Sequence, residues 1–163
     1  MGSQEMDANA IDFAVAVWHE EGQWMASSLP ARVATSMDDL ISTLRQLPGE
    51  GGVFGLIGVV DEYFIVVRQA AGSSRAMISD GAAILDWALA EEAADVIGLD
   101  IDDDDLEDFE PVGDMSIFAD FGLGADELGL LCRDEDLYPD QQIKAIAKRL
   151  GFSEQLKSVL RAN

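Results

Sequence analysis

Apolar and polar side chains alternate along several segments of the first hundred residues, and this period is typical of β-strands. Residues 11–19 alternate in this way, and residues 23–27 follow a glycine-containing turn as the second arm of a hairpin. Residues 53–60 contain no polar side chain, which indicates a central strand covered on both faces. Further strands are predicted at residues 63–69 and 75–79.

Two segments between and after these strands have a helical period instead. Residues 37–47 repeat leucine on one face behind Ser36, a good N-cap, and residues 82–96 carry a broad apolar face. The predicted order is therefore β-β-α-β-β-β-α. Because the links between neighbouring strands are short, we predict an α+β fold over residues 10–98, with helices against a mostly antiparallel sheet of about five strands.

The pattern changes after this domain. Residues 100–114 include nine acidic side chains and no basic one. Charges of one sign at this density repel each other and extend the chain, so we predict an acidic linker over residues 99–114. Residues 115–163 return to a helical period and predict a small C-terminal helical region, which either packs on the sheet or forms a separate unit. Residues 1–9 are predicted to be a disordered leader.

Composition adds a strong charge to this picture. The formal net charge is −22 over 163 residues, which repels phosphate backbones and anionic headgroups. We therefore expect no direct binding to nucleic acid or to a membrane, and a basic protein as the partner; plain solubility is the alternative interpretation. With no apolar run of membrane-spanning length, no signal peptide and one cysteine, the chain is expected to be cytoplasmic.

Residue types that carry catalysis or bind metals are scarce. His19 has no serine or cysteine relay partner nearby in sequence, and Cys132 alone cannot build a thiolate zinc site. The acidic run fails the EF-hand spacing, and no phosphate-binding loop follows a strand. Arg68 and Arg75 are interpreted as balancing nearby acids. We expect a non-enzyme with no catalytic residue, cofactor or metal.

Three apolar side chains interrupt the acidic run, and apolar anchors in a charged segment suit folding upon binding. The alternative is that these three side chains pack on their own domain. The predicted partner-binding residues are Ile101, Asp102, Asp103, Asp104, Asp105, Leu106 and Phe109.

The order of these features resembles a known family. It includes the turn at residues 21–24 (EGQW), the acidic turn and aromatic pair at residues 61–64 (DEYF), the Ser79-Asp80 start of a helix, and the acidic run. Over residues 11–163 this resembles the actinobacterial tRNA adenosine deaminase-associated proteins. The resemblance implies association with the enzyme that converts adenosine to inosine in tRNA. The deaminase's own zinc signature is absent from this chain.

Several functions remain open at this point. The first is a non-catalytic acidic module that binds a basic protein, and the resemblance implies tRNA adenosine deaminase as that partner. The second is a nucleic-acid mimic that inhibits a tRNA- or DNA-binding protein. The third is a structural domain that forms a homodimer through a sheet edge or its last helices. A deep pocket between sheet and helix that holds a buried, perturbed carboxylate or arginine would favour a small-molecule or enzymatic role.

Overall fold

A computed structural model describes residues 10–47, 52–70, 72–96, 98 and 110–161. Within these residues, six strands form one antiparallel sheet in the order β2-β1-β3-β4-β5-β6. The predicted α+β fold with an antiparallel sheet is confirmed. The strands are β1 (Ile11–Glu20), β2 (Gln23–Ser28), β3 (Val53–Val59), β4 (Tyr63–Ala70), β5 (Ser73–Ile78) and β6 (Val112–Gly113).

Six α-helices lie among the described residues, together with short 3-10 turns at Ala31–Thr35 and Ala119–Phe121. The helix predicted at residues 82–96 is two helices, because Trp87 takes an extended backbone with φ −128° and ψ 128°. The helix predicted at residues 37–47 ends earlier, at Leu44. The helices are α1 (Met37–Leu44), α2 (Ala83–Asp86), α3 (Ala88–Val96), α4 (Ala125–Cys132), α5 (Pro139–Leu150) and α6 (Ser153–Arg161).

The sixth strand corrects the predicted linker. Val112 and Gly113 pair with Ile78 and Met77 of β5, and the Asp114 amide donates to the Ala76 carbonyl at 2.8 Å. Residues 112–114 therefore pair with β5 and extend the sheet. Arginine side chains of the folded chain pair with the acids on both sides of β6, which offsets the repulsion that the sequence pattern predicted. The rest of the predicted linker and the predicted leader lie outside the described residues.

Helices cover both faces of the sheet. The alternation in β1 directs Ala14, Ala16 and Trp18 towards α1–α3, which we call the first face, and Phe13 and Val15 towards α4–α6, the second face. All seven residues of β3 are buried, so the prediction of a strand covered on both sides is confirmed. The C-terminal helices α4–α6 pack on the second face of the sheet and do not form a separate unit.

Glycines in β3 allow side chains to approach the sheet closely on both faces. A Cβ atom at Gly58 would lie 2.1 Å from Cε2 of Phe13 on the second face. A Cβ atom at Gly55 would lie 3.2 Å from Cδ1 of Leu44 on the first face. Both positions are close-packing points, so the core packs directly against the central strand.

The described helices are too short or too polar to cross a membrane.

Candidate binding site at one end of the sheet

A cleft of about 440 Å³ lies at the end of the sheet where β4 begins. Three connections form it: the turn between β3 and β4, the loop between β5 and α2, and the loop between α4 and α5. The first two belong to the sheet and its first-face helices, whereas the third belongs to the second-face layer. The cleft thus depends on both helical layers packing on the same sheet.

The turn between β3 and β4 positions the first part of the cleft. Val60 and Asp61 have φ of 45° and 53°, and the Glu62 amide donates to the Val59 carbonyl at 2.9 Å. This left-handed backbone is costly for a β-branched residue. The turn is held from β1, since the Asp61 amide donates to the Asp12 carboxylate at 2.6 Å and the Val60 amide to the Ala10 carbonyl at 3.0 Å.

Carboxylates dominate the rim of the cleft. Asp61, Glu62, Asp86 and Glu135 are exposed and Asp80 is half-buried. No lysine or arginine occurs among the described residues that line the cleft. The exposed carboxylates make no ion pair with the described part of the chain. These four exposed carboxylates are therefore hydrated, unneutralised hydrogen-bond acceptors.

The charge at this end also affects Asp12, which holds the turn. Partial burial raises the pKa of the Asp12 carboxyl, and the negative charges of Asp61 and Asp140 raise it further. The amide of Asp61 that bonds this carboxylate acts in the opposite direction. Repulsion among these acids indicates that the end of the sheet is a region of concentrated negative potential.

The buried residues of the cleft are mostly uncharged. The Ser79 hydroxyl accepts a hydrogen bond from the Phe64 amide at 2.9 Å. Burial raises the pKa of the Cys132 thiol to about 12, so this thiol stays protonated at neutral pH and is a poor nucleophile. Burial likewise raises the pKa of Tyr63, whose hydroxyl lies inside the first-face core without a hydrogen-bond partner among the described residues.

Gln142 of α5 is the most informative of these buried residues, with an exposed fraction of only 5 %. Its Nε2 donates to the carbonyls of Leu131 at 2.8 Å and Cys132 at 3.4 Å. A carbonyl can accept only from the nitrogen, so these two bonds fix the orientation of the amide. The Oε1 atom is left without a donor from the described residues.

The acidic run joins the fold beside this cleft. The Gly81 amide donates to the Glu110 carbonyl at 2.8 Å, and the neighbours of Gly81 in sequence, Asp80 and Ala82, both line the cleft. The Glu110 carboxylate pairs with Arg133 at 3.1 Å. Glu110, the first residue of the predicted acidic segment that the structure describes after the gap, is therefore anchored next to the acidic rim.

The partner-binding residues predicted from sequence are not tested by this geometry. Ile101, Asp102, Asp103, Asp104, Asp105, Leu106 and Phe109 all lie outside the described residues. The sequence analysis did not identify the cleft, because its acids come from three separate turns. The one sequence feature that could have indicated the cleft is an acidic residue in each of these connections, at Asp61, Asp80 and Glu135.

Two arginines that the sequence analysis assigned to charge balance lie at the other end of the sheet. Arg68 pairs with Asp120 at 2.7 Å and Arg75 pairs with Asp114, so this assignment is confirmed. His19 packs against the rings of Trp24 and Phe121, with centroid distances of 5.2 and 5.9 Å. Within the described chain, no group of three or more His, Cys, Asp or Glu side chains is arranged to hold a metal ion.

Comparison with known proteins identifies the family. The profile described as Rv3753c-like tRNA adenosine deaminase-associated protein matches residues 12–153. Protein Rv3753c of Mycobacterium tuberculosis is 41% identical to this chain over 150 residues, which cover 91% of this chain and 87% of that protein. No solved structure matches this chain. The resemblance stated from sequence is thus confirmed, and the chain belongs to the Rv3753c-like tRNA adenosine deaminase-associated protein family.

Proposed function

We propose that this protein is a non-catalytic accessory protein that binds a basic protein partner through the acidic end of its sheet. The family description indicates tRNA adenosine deaminase as that partner. The observation that carries the proposal is the acidic rim, since no basic side chain lines the described part of the cleft. The proposal places the protein in the cytoplasm, together with tRNA.

Charge complementarity supports this choice of partner. A protein that binds tRNA needs a basic surface for the phosphate backbone. A chain of net charge −22 with carboxylates concentrated at one end is attracted to such a surface. Each exposed ion pair contributes only about 0–1 kcal/mol, so recognition needs several pairs acting together. The rim supplies four exposed carboxylates, Asp61, Glu62, Asp86 and Glu135.

The chemistry of the cleft favours binding over catalysis. A nucleophilic cysteine needs a lowered pKa, whereas burial raises that of Cys132 to about 12. No histidine or lysine is among the described residues of the cleft, so the usual nitrogen bases of acid–base catalysis are missing from it. The charged groups lie on the exposed rim, where they can meet the surface of another protein.

Calorimetric titration of the full chain with tRNA adenosine deaminase tests the proposal at two salt concentrations. The Debye length falls from about 10 Å at about 0.1 M salt to about 3 Å at about 1 M salt. We expect a complex at the lower salt and a Kd at least about tenfold weaker at the higher salt. Absence of a complex at both concentrations would contradict the proposal.

The same titration with tRNA present distinguishes an accessory protein from a nucleic-acid mimic. An accessory protein contacts basic side chains that border the tRNA site and leaves the site itself open, so the Kd for the deaminase stays within about twofold when tRNA is bound. A mimic occupies the tRNA-binding groove, so tRNA would displace it.

A further inference from the structure

We infer that the cleft receives an arginine side chain of the partner, which deepens the proposed function and rests on it. The inference concerns the chemical group that the cleft recognises. It follows from one buried acceptor, from the charges of the rim and from an exposed aromatic ring.

The buried acceptor is Oε1 of Gln142. Gln142 is only 5 % exposed, yet it lines the cleft. Among the described residues, the Tyr63 hydroxyl is the one buried polar side-chain atom that is both fully enclosed and unpartnered. The Gln142 oxygen is therefore not fully enclosed, and the cleft is the opening that this residue lines. A buried acceptor of this kind points to a ligand that donates hydrogen bonds.

The rim adds negative charge around this acceptor. Carboxylates accept hydrogen bonds and do not donate them, and they favour a cation. Among protein groups, the guanidinium of arginine carries five N–H donors, one positive charge and no acceptor. It can donate to the Gln142 oxygen and to one or more rim carboxylates at the same time.

The remaining surface of the cleft favours arginine over lysine. Tyr138 is 62% exposed and lies on the rim, and a guanidinium stacks on an aromatic ring more often than an ammonium does. Ala83, Leu137 and Pro139 offer apolar surface for the methylene stem. The volume of about 440 Å³ lies within the range of roughly 300–1,000 Å³ that is usual for ligand pockets.

The test uses a peptide of alternating arginine and glycine with both ends blocked, and a matched peptide with lysine in place of arginine. The cleft variant carries Glu62→Gln, Asp86→Asn and Glu135→Gln, which remove three charges and keep the side-chain shapes. The control variant carries Asp38→Asn, Asp39→Asn and Asp95→Asn, which remove three exposed charges on the first-face helices. Thermal unfolding of each variant verifies that it is folded.

In calorimetric titrations, we expect the wild-type chain to bind the arginine peptide about threefold more tightly than the lysine peptide. The cleft variant should lose about tenfold in affinity, and the control variant less than about twofold. Tyr138→Leu should remove the preference for arginine. Failure of the arginine peptide to bind, equal binding of the two peptides by the wild-type chain, or equal losses in the two triple variants would overturn the inference.

A parallel titration of the wild-type chain with the deaminase distinguishes failure of this inference from failure of the proposed function. If the deaminase binds and the arginine peptide does not, the inference is wrong and the proposed function stands. If neither binds, both are wrong.

Discussion

The two ends of the sheet use carboxylates in opposite ways. At the end where β4 finishes, Arg68 is 5 % exposed and donates to Asp120 at 2.7 and 2.8 Å and to the Ile117 carbonyl at 3.1 Å. Its guanidinium also lies over the ring of Phe54, 4.8 Å from the centroid. At the end where β4 begins, the exposed rim carboxylates of the cleft meet no basic side chain of the described chain.

This difference separates stability from recognition. The arginine end fixes residues 114–120 to the sheet, because Arg75 and Arg68 pair with an acid at each limit of that segment. Buried charges require such partners, and losing one is costly. The cleft end leaves its four exposed carboxylates hydrated, which adds repulsion to the folded state but keeps these four available to a cationic partner. Substitutions at the two ends should therefore have different consequences.

The largest effect on stability is expected at the arginine end. Asp120→Ala removes the carboxylate that accepts two hydrogen bonds from the buried Arg68 guanidinium. Because the Asp120 side chain is itself 57% exposed, we expect the free energy of unfolding to fall by about 2 kcal/mol. Glu127→Ala is the matched control, because Glu127 and its partner Arg149 form a solvent-exposed ion pair, and its loss should be clearly smaller than that of Asp120→Ala. Urea unfolding measures both. Equal losses would contradict the distinction between buried and exposed pairs.

A smaller effect of opposite sign is expected at the cleft end of β4. The Tyr63 hydroxyl is buried without a partner among the described residues. Tyr63→Phe removes the desolvation penalty of that hydroxyl and should raise the free energy of unfolding by about 1 kcal/mol. Urea unfolding of the wild-type chain and the variant measures this gain. A loss of about 1 kcal/mol or more would mean that the hydroxyl has a partner after all.

The smallest effect concerns pH, where the two ends differ in sign. Hydrogen bonds from Arg68 lower the pKa of the Asp120 carboxyl in the folded state. The ionised carboxylate therefore stabilises the fold above the pKa that Asp120 has in the unfolded chain, and this stabilisation is lost as pH falls through its folded-state pKa. Burial is the main cause of the raised pKa of Asp12, and the neighbouring acids raise this pKa further. Ionisation of Asp12 as pH rises therefore lowers the free energy of unfolding.

Asp12→Asn isolates this second effect, because an asparagine oxygen can still accept the hydrogen bond of the Asp61 amide. We expect the variant to be more stable than the wild-type chain at neutral pH. The difference should close as pH falls below the unfolded-state pKa, where the wild-type carboxyl is protonated in both states. Urea unfolding across this pH range measures it, and a difference that grows in acid would contradict the assignment.

Most of the fold could be predicted because strong periodicity reflects packing. The apolar alternation of β1 and the continuous apolar run of β3 match the faces that the helices cover. The sixth strand could not be predicted in this way. It has two residues, Val112 and Gly113, and the arginines that neutralise its acidic neighbours are distant in sequence. The break at Trp87 carries no proline or glycine signal.

The cleft was harder to predict than the fold. Its rim acids come from three separate segments, and Glu135 joins the others only because the second-face layer docks on the same sheet. In a chain with 32 acidic residues, no single pair of carboxylates stands out. The unpartnered oxygen of Gln142 depends on two backbone carbonyls at the end of α4, which sequence periodicity does not place. Partner binding by the acidic run stays a prediction, because the predicted residues lie outside the described part of the chain.

The most direct measurement of the central claim is the affinity of the deaminase for the two triple variants defined above. The cleft variant and the control variant have the same net charge, so any difference between them reports the location of the charge rather than its amount. We predict that the cleft variant loses at least about tenfold in affinity at about 0.1 M salt, while the control variant stays within about twofold of the wild-type chain. Equal affinities of the two variants would contradict the claim that the acidic end of the sheet is the binding site.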